Sequence, residues 1–262
     1  MSLPIIQSLW IGPELTLNEQ LCISSFIYHK HPFHLYTYNT IKNIPSGVVL
    51  KDANEIIPES EIFQYYSGSY AGFADWFRWA LLYKRGGFWV DTDVVCVKPF
   101  DFDSKLIFGL EGFNIVCPAV LGFPKNHKFC AFLEEACRKP NKFLPYDSFK
   151  IKKRKLKRAI LGRGKESISW GESGGPVGFT KALVHFELLG FAKSFVHFFP
   201  ISSENWNSIY DLTFEDDHKL FKNTYAVHLW NEKSRIEKFD KNAKRAPESL
   251  IEHFRSKYLN HG

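Results

Sequence analysis

Two acidic residues that follow a short apolar run are the side chains best placed for chemistry. Phe88, Trp89 and Val90 form a β-strand pattern, and Asp91 and Asp93 come directly after it. Side chains two residues apart on a strand point to the same side, so the sequence predicts two carboxylates that face one point. Neighbouring carboxylates repel each other unless a cation neutralises them, and divalent metals bind oxygen ligands. The pattern therefore predicts a metal site; the alternative is a solvated Asp-Thr-Asp turn.

The segment before this strand carries a second pair of candidates. Residues 71–84 are apolar around most of a helix, which predicts a buried helix, and Gly86 and Gly87 favour its termination. Asp75 and Arg78 lie three residues apart and therefore on one helix face. They either pair with each other or reach a nucleotide, with Asp75 directed toward hydroxyl groups and Arg78 toward the carboxylates or a pyrophosphate.

The elements that must position these residues indicate an α/β fold. An apolar run at 5–11, helical spacing at 16–29 and an alternating run at 33–38 give a β-α-β order. This order favours a parallel sheet with ligands at the carboxyl ends of its strands. Further strands are predicted at 48–50, 94–97, 106–110, 195–199 and 225–229, and further helices at 127–138 and 177–189, while residues 114–123 alternate apolar and small side chains.

Composition favours a folded chain with a large core. The chain has 262 residues, of which 45% are hydrophobic and 16% aromatic, a composition that excludes disorder and suits a cleft lined by rings. Its five scattered cysteines form no CxxC pair, which favours a reducing compartment. The sequence shows no signal-peptide pattern and no long apolar run, so we expect a cytoplasmic protein, either soluble or peripheral to a membrane.

Positive charge is concentrated in two segments. The net charge is +6, and Lys150 to Arg158 contains seven basic residues in nine. A second basic stretch runs from Lys233 to Arg245. Such segments attract nucleic acid or anionic membranes, and the lack of a nucleic-acid-binding signature favours the inner face of a membrane and no specific nucleic acid. A solvated helix face is the alternative.

The spacing from the helix to the acidic pair resembles that of a known enzyme family. The order D-x-x-R-x-x-x-L-x-x-x-G-G-x-x-x-D-x-D, from Asp75 to Asp93, is similar to the motif of retaining GT-A glycosyltransferases with a DxD sugar-binding region, glycosyltransferase family 32. That group includes capsular-polysaccharide transferases, α1,4-galactosyl- and α1,4-N-acetylglucosaminyltransferases and, more distantly, clostridial glucosylating toxins. The resemblance implies an α/β, GT-A Rossmann-like nucleotide-diphospho-sugar transferase fold with a mixed central sheet flanked by helices.

Three further segments extend the resemblance over residues 4–232. The first strand is similar to an I-W-x-G segment whose Trp stacks on uracil, residues 175–180 to a G-P-x-x-x-T segment, and residues 227–231 to a V-H-x-W-N ending. By this resemblance Mn²⁺ or Mg²⁺ is bound by Asp91, Asp93 and His228. The implied donor-binding residues are Leu9, Trp10, Asp75, Arg78, Asp91, Thr92, Asp93, Gly175, Pro176 and Trp230.

The resemblance also implies an activity. A hexose or N-acetylhexosamine passes from a UDP-sugar to a glycan or glycolipid acceptor with retention of configuration, as in polysaccharide, lipopolysaccharide or capsule synthesis. The candidate catalytic residues are Asp93, Asn114 and Glu172. The predicted transferase domain is 1–232, with a basic helical excursion at about 140–165, and a basic helical tail follows at 233–262. Trp89 stands where the family usually has Tyr, so a hydroxyl contact is lost.

Other functions fit parts of the pattern. One is a glycosyltransferase that modifies a host protein, and another is a non-catalytic protein that binds a sugar nucleotide or a polyanion. A phosphatase would use Asp91 as nucleophile and Asp93 as acid, but the Thr usual after such a pair is replaced by Val94.

Overall fold

The protein is described by a computed structural model covering residues 3–112, 114–211 and 221–259. The chain forms two compact units, each assembled from separate stretches of sequence. The first unit consists of Met1–Asp52, Phe88–Asp103 and Lys193–Gly262, and the second of Ala53–Gly87 and Ser104–Ala192. This division does not test the predicted boundary between residues 232 and 233, which stays a prediction.

Within the described residues, the strands form one large mixed sheet and one small sheet. The large sheet has the order β3-β2-β1-β4-β7-β6, and β5 pairs with β8. β1 runs parallel to β2 and β4, whereas β6 and β7 are antiparallel. The strands are β1 (Ile6–Trp10), β2 (Phe33–Thr37), β3 (Val48–Asp52), β4 (Gly87–Val90), β5 (Val94–Cys96), β6 (Ile107–Leu110), β7 (Val116–Phe123) and β8 (Ala226–His228).

Helices pack against this framework within each unit. In the first unit, α1 packs on β2, β5 and α8; in the second, α2 and α5 pack on β7, and α3 packs on α2. This arrangement confirms the predicted α/β architecture with a mixed sheet flanked by helices. The helices are α1 (Leu17–Tyr28), α2 (Ala71–Arg85), α3 (Lys128–Arg138), α4 (Phe149–Ile160), α5 (Pro176–His185), α6 (Ser208–Asp211), α7 (Asn231–Ile236) and α8 (Leu250–Leu259).

The first unit brings the carboxyl ends of two strands together. The register of β1 against β4 aligns Gln7 with Trp89, and the Ser8 hydroxyl donates a hydrogen bond to the Val90 carbonyl. Because parallel strands end at the same edge of a sheet, residues that follow β4 lie beside the last residues of β1. This edge carries the acidic pair.

The glycine pair after α2 fixes the point where the chain turns into β4. Gly86 ends the helix with a φ of 67°, a conformation that glycine adopts without a steric penalty. A Cβ at this position would lie 2.4 Å from the backbone nitrogen of Lys125. Both the backbone conformation and the available space therefore require glycine here.

The aromatic residues fill the interior of the second unit. Trp79, Phe108, Phe123, Phe129 and Phe179 are fully buried and contact one another, with 4.9 Å between the ring centroids of Trp79 and Phe179. Much of the high aromatic content therefore serves core packing, in addition to any cleft that composition alone suggested.

The predicted strand at 195–199 is wrong. Phe195–His197 forms a 3₁₀ turn instead, and the adjacent residues Phe198 and Phe199 are both buried. A half-buried strand alternates between inward and outward side chains, whereas two consecutive buried rings suit a turn that is covered on both sides. The predicted helix at 177–189 is also shorter, because α5 ends at His185.

The basic segment lies on α4 and in the second unit. Five of its seven basic side chains are exposed, whereas Lys155 and Arg158 are buried. Among the described helices, none is both long and apolar enough to cross a bilayer.

Candidate active site

A tight turn presents the acidic pair. β4 ends at Val90, and the Asp91 carbonyl accepts a hydrogen bond of 3.2 Å from the backbone N–H of Val94, the first residue of β5. The two carboxylates therefore come from a turn, whereas the sequence predicted a continuing strand. Asp93 is buried, with 8% of its surface exposed, and Asp91 is half-buried.

Strand pairing brings a histidine from far along the chain to this turn. β5 pairs with β8 in antiparallel register, and Val94 lies opposite His228. The His228 Nε2 is 3.1 Å from the Asp93 Oδ1. Asp91, Asp93 and His228 each offer a ligand atom, and these atoms lie within 4.8 Å of one another. The structure thus groups the three predicted metal ligands.

This donor set fits a divalent cation. Two carboxylates supply hard oxygen ligands, and an imidazole adds a nitrogen that first-row transition metals accept. Opposite ligand atoms around an ion with bonds of about 2.0–2.4 Å are separated by about 4–5 Å, so a spacing of up to 4.8 Å is compatible with a shared ion.

The surroundings of Asp93 keep its carboxylate ionised. Burial alone would raise the pKa of this group, but the charge and hydrogen bond of His228, the backbone N–H of Asn231 and the charge of Lys241 outweigh it and lower the pKa to about 2. An acid with so low a pKa does not carry a proton at neutral pH. An ionised carboxylate suits the binding of a cation.

A chain of hydrogen bonds, which ends in an ion pair, holds the Asp93 carboxylate in position. The Asn231 backbone N–H donates to the Asp93 Oδ2 at 2.8 Å, and the Asn231 side-chain amide donates to the Glu19 Oε1 at 2.7 Å. Glu19 is fully buried and forms an ion pair with Lys241. The sequence placed Asn231 in the V-H-x-W-N segment without this role, and it gave no such role to Glu19 on α1 or to Lys241, five residues past the end of α7.

Trp89 orients the other carboxylate. Its indole N–H donates a hydrogen bond of 2.7 Å to the Asp91 Oδ1. The sequence indicated only that a hydroxyl contact is lost when Trp replaces Tyr here. The indole N–H supplies a polar contact of its own, and the two-residue spacing from Trp89 to Asp91 was the available signal.

Trp230 packs against the histidine of the cluster. It adopts the left-handed conformation, with φ 55° and ψ 47°, which is uncommon for a residue with a large side chain. Its ring centroid lies 4.1 Å from that of His228, and its indole N–H donates to the Ile201 carbonyl at 3.0 Å. These contacts orient His228, while the predicted role in donor binding stays a prediction.

The other donor-binding candidates of the first unit lie at the same sheet edge. Leu9 and Trp10 end β1, and Thr92 lies between the two aspartates. The indole nitrogen of Trp10 is shielded from solvent and has no hydrogen-bond partner within the described parts of the chain. Leu9 is buried, and Thr92 is half-buried.

The second unit groups four other candidates. Asp75 and Arg78 are buried on α2, with 3.4 Å between the Asp75 Oδ1 and the Arg78 Nη2, and Arg78 donates to the Pro118 carbonyl at 2.7 Å. Gly175 precedes α5, and a Cβ there would lie 2.6 Å from the Asp75 Oδ2. Pro176 occupies the first turn of α5, where its missing N–H costs least.

The contacts of Glu172 are those of a structural ion pair. Its two carboxylate oxygens accept hydrogen bonds of 2.8 and 3.0 Å from Arg158, and Arg154 lies 3.0 Å away. A catalytic role would require both arginines to release this carboxylate. Asn114 is exposed in a bend before β7. The catalytic roles of Glu172 and Asn114 stay predictions.

Two family models match the chain. Residues 17–108 match the model described as "Glycosyltransferase sugar-binding region containing DXD motif", and residues 192–258 match "Alpha 1,4-glycosyltransferase conserved region". The first region contains Asp91 and Asp93, and the second contains His228, Trp230 and Asn231. The residues that form the metal cluster thus come from both matched regions.

Curated relatives and one solved structure are also similar to the chain. Human "Alpha-1,4-N-acetylglucosaminyltransferase" is 24% identical over 69% of this chain and 51% of its own length. "Lactosylceramide 4-alpha-galactosyltransferase" of Mus musculus is 26% identical over 60% of this chain and 40% of its own. The chain thus spans about half or less of these relatives. The structure of "PaToxG Glycosyltransferase" aligns with a TM-score of 0.49 and 16% identity, over 98% of this chain and 86% of that one.

These matches agree with the residues that the geometry groups. The DXD region supplies two carboxylates, and the α-1,4-transferase region supplies the imidazole and its supporting turn. Over these two regions the chain is therefore similar to glycosyltransferases with a DXD sugar-binding region and to α-1,4-glycosyltransferases.

Proposed function

We propose that the protein is a metal-dependent, retaining glycosyltransferase that moves a hexose or N-acetylhexosamine from a UDP-sugar to a glycan or glycolipid acceptor. One observation carries this proposal: Asp91, Asp93 and His228 converge at the carboxyl ends of the parallel strands β1 and β4. This edge is where α/β folds bind nucleotides.

The three clustered side chains would hold the cation. Mn²⁺ fits the mixed oxygen and nitrogen ligands, and Mg²⁺ is the alternative. When bound, the cation supplies positive charge that stabilises the departing diphosphate. The protein itself supplies preorganisation, because Trp89 and Asn231 hold the two carboxylates in place before the donor arrives.

Donor recognition falls to side chains around this centre. Trp10 is the candidate for the nucleotide base, and its indole nitrogen without a hydrogen-bond partner among the described residues supports this role. Leu9 and Thr92 flank it at the same edge. Asp75 and Arg78, in the second unit, keep their sequence-based roles as candidates that orient the ribose and the sugar, and the missing side chain at Gly175 lets the Asp75 carboxylate lie against the backbone there.

The acceptor is proposed from the relatives. The names of the two curated relatives refer to α-1,4 transfer, and one names a glycolipid, lactosylceramide. We therefore propose a glycan or glycolipid acceptor in the synthesis of a cell-surface polysaccharide, a lipopolysaccharide or a capsule.

We also propose that the protein acts in the cytoplasm, peripherally at the inner face of a membrane, because the segment 150–158 is strongly basic.

Release of UDP from a panel of donors tests the activity. The purified protein is incubated with UDP-galactose, UDP-glucose, UDP-N-acetylglucosamine or UDP-N-acetylgalactosamine in Mn²⁺, since slow hydrolysis requires no acceptor. We expect release from one donor, loss of release in EDTA, and at least about a 100-fold reduction in Asp93→Asn. The exposed Asp101→Asn serves as the matched control and should retain full activity.

The outcomes separate the alternatives. Metal-dependent binding of UDP without release from any donor or with any tested acceptor would favour a non-catalytic sugar-nucleotide-binding protein. Release that EDTA and Asp93→Asn leave unchanged would contradict the proposed site. Transfer to protein side chains in place of glycans would favour a protein-modifying enzyme.

A further inference from the structure

α4 has one face fixed to its own unit. Lys155 forms a 2.7 Å ion pair with Asp147, and Arg158 binds Glu172 with both of its terminal nitrogens. The side chains of all four residues are less than 10% exposed. Two of the seven basic residues in this segment are therefore internal, and they determine which face of the helix points outward.

The outward face carries a stripe of large apolar side chains. Phe149, Leu156 and Ile160 are 85%, 52% and 76% exposed. At about 100° per residue, positions 149, 156 and 160 fall within about 40° of one another and more than about 90° from Lys155. Leu161, just past the helix end, is 52% exposed as well. Isolated exposed apolar residues are ordinary, but an aligned set on one helix marks an interaction surface.

Lysines flank this stripe on both sides. By the same helical geometry, Lys152 lies on one side, and Lys153, Lys157 and Lys150 lie on the other. All four are exposed. An apolar stripe bordered by lysines is the pattern of helices that lie in the plane of a membrane, with the apolar side chains among the acyl chains and the amines at anionic headgroups.

We propose that α4 docks the protein on an anionic lipid bilayer by inserting Phe149, Leu156 and Ile160 below the headgroups. The helix is about 18 Å long, long enough to lie flat and too short to span. A second copy of the chain is disfavoured as the occupant, because two such faces would bring lysines against lysines. The inference refines the peripheral location proposed above: charge attracts the helix, and apolar insertion retains it.

Vesicle flotation tests the proposal. The 262-residue chain is mixed with phosphatidylcholine vesicles containing either no anionic lipid or about 30% phosphatidylserine. We expect flotation only with the anionic vesicles. The triple variant Phe149→Ser/Leu156→Ser/Ile160→Ser should lower the partition coefficient at least about tenfold, and Lys152→Gln/Lys153→Gln/Lys157→Gln should do so too.

The matched control removes apolar side chains elsewhere on the same unit. Val184 and Phe191 are 58% and 53% exposed and lie outside α4. Val184→Ser/Phe191→Ser should float like the wild type. Because all substituted residues are exposed, circular dichroism should show unchanged folding in each variant.

Insertion has its own readout. The five native cysteines are buried, so Phe149→Cys can be labelled selectively with an environment-sensitive fluorophore. We expect its emission to increase and shift to the blue with anionic vesicles, and not with neutral ones. Flotation that is unaffected by the apolar triple, with no shift in emission, would overturn insertion and leave charge attraction alone.

Two further outcomes would overturn the proposal. One is a wild type that does not float with any vesicle. The other is a lipid-free dimer, detected by sedimentation, that the apolar triple converts to a monomer, since the stripe would then be an interface between copies. Neither readout uses catalytic activity, so failure of the proposed transferase reaction would be recognised separately.

Discussion

At the scale of single residues, the candidate centre is a pair of carboxylates held by neighbours before any ligand is present. Asp93 accepts hydrogen bonds from His228 and from the Asn231 backbone, and Asp91 accepts one from Trp89. Hydrogen bonds to an ionised acceptor are the stronger kind and favour the charged form. The carboxylates are therefore held in place before a cation binds, and the His228 Nε2 becomes a ligand once it has released its proton.

Trp89→Phe tests the contribution of one such bond. The substitution keeps a ring and removes the N–H that holds Asp91, so we expect Mn²⁺ affinity to fall about tenfold, the equivalent of one hydrogen bond to a charged group. Isothermal titration of Mn²⁺ into the protein measures this. The free energy of unfolding should change much less than the free energy of Mn²⁺ binding, because the substitution largely retains the buried ring surface.

Trp206→Phe is the matched control for this prediction. Its indole N–H also donates to a carboxylate, Glu237, at 3.2 Å and in the same unit, but that pair is outside the metal cluster. Its Mn²⁺ affinity should equal that of the wild type. Equal affinities for Trp89→Phe and the wild type would show that Asp91 does not need this orientation.

Residue spacing predicted the two carboxylates, and the resemblance to a V-H-x-W-N ending implied the histidine, but neither predicted the contacts that support them. The Asp-x-Asp pair follows an apolar strand, and this local pattern is visible in one segment of sequence. Glu19 and Lys241 are 222 residues apart, and only the folded unit brings them together. A long-range ion pair leaves no periodic signal, so such contacts cannot be read from the chain alone.

At the scale of elements, α4 and the loop before α5 are joined by Glu172. Burial alone would raise the pKa of this carboxyl group, but the hydrogen bonds and charge of Arg158, with the charge of Arg154, outweigh it and hold the pKa below the ordinary value of 4.5. A lowered folded-state pKa means that the ionised group stabilises the fold. That stability is present above about pH 4.5 and is lost as the pH falls through the folded-state pKa.

Glu172→Gln should therefore destabilise the protein in a pH-dependent way. We expect the free energy of unfolding to fall by about 1–3 kcal/mol at pH 7, which is typical of a buried charge-assisted contact. The difference from the wild type should shrink as the pH falls through the folded-state pKa, because Glu172 is protonated in both states below it. Urea unfolding followed by fluorescence over this pH range provides the measurement.

A glutamate at the protein surface provides the control variant for Glu172→Gln. Glu135 forms ion pairs with Lys139 and Lys142 on the protein surface, and Glu135→Gln should have little effect on stability because solvent screens such pairs. A difference between Glu172→Gln and the wild type that does not decrease as the pH is lowered from 7 into the acid range would contradict the assigned role of its charge.

Element positions were largely predictable, and the outward face of α4 was not. Apolar periodicity placed β1, α2 and α3 close to their observed bounds, and glycine marked the end of α2. In residues 150–158 the dense positive charge was the evident feature, and the apolar stripe of α4 was not predicted. Only the buried partners of Lys155 and Arg158 establish which side of the helix faces solvent.

At the scale of the whole molecule, the first unit depends on contacts between distant parts of the sequence. Lys241, in the predicted C-terminal tail, pairs with the fully buried Glu19 on α1. Glu19 in turn holds the Asn231 side chain, whose backbone supports Asp93. The late segment of the chain therefore contributes directly to the surroundings of the metal cluster.

Lys241→Met should be strongly destabilising. The substitution leaves Glu19 as a buried charge without its partner cation, so we expect the free energy of unfolding to fall by about 3–5 kcal/mol. The double variant Glu19→Gln/Lys241→Met should recover part of the loss, and the exposed Lys244→Met should behave like the wild type. Urea unfolding measures all three variants. A loss below about 1 kcal/mol for Lys241→Met would show that the pair is not a stabilising link.

The most direct test of the central claim is whether nucleotide binding requires the cation at Asp91, Asp93 and His228. UDP is titrated calorimetrically into the wild type in Mn²⁺ and in EDTA, and into Asp93→Asn in Mn²⁺. We predict saturable binding only for the wild type in Mn²⁺, with affinity reduced at least about 100-fold in the other two titrations. Equal UDP affinity in all three titrations would contradict the assignment of this cluster as the metal and nucleotide site.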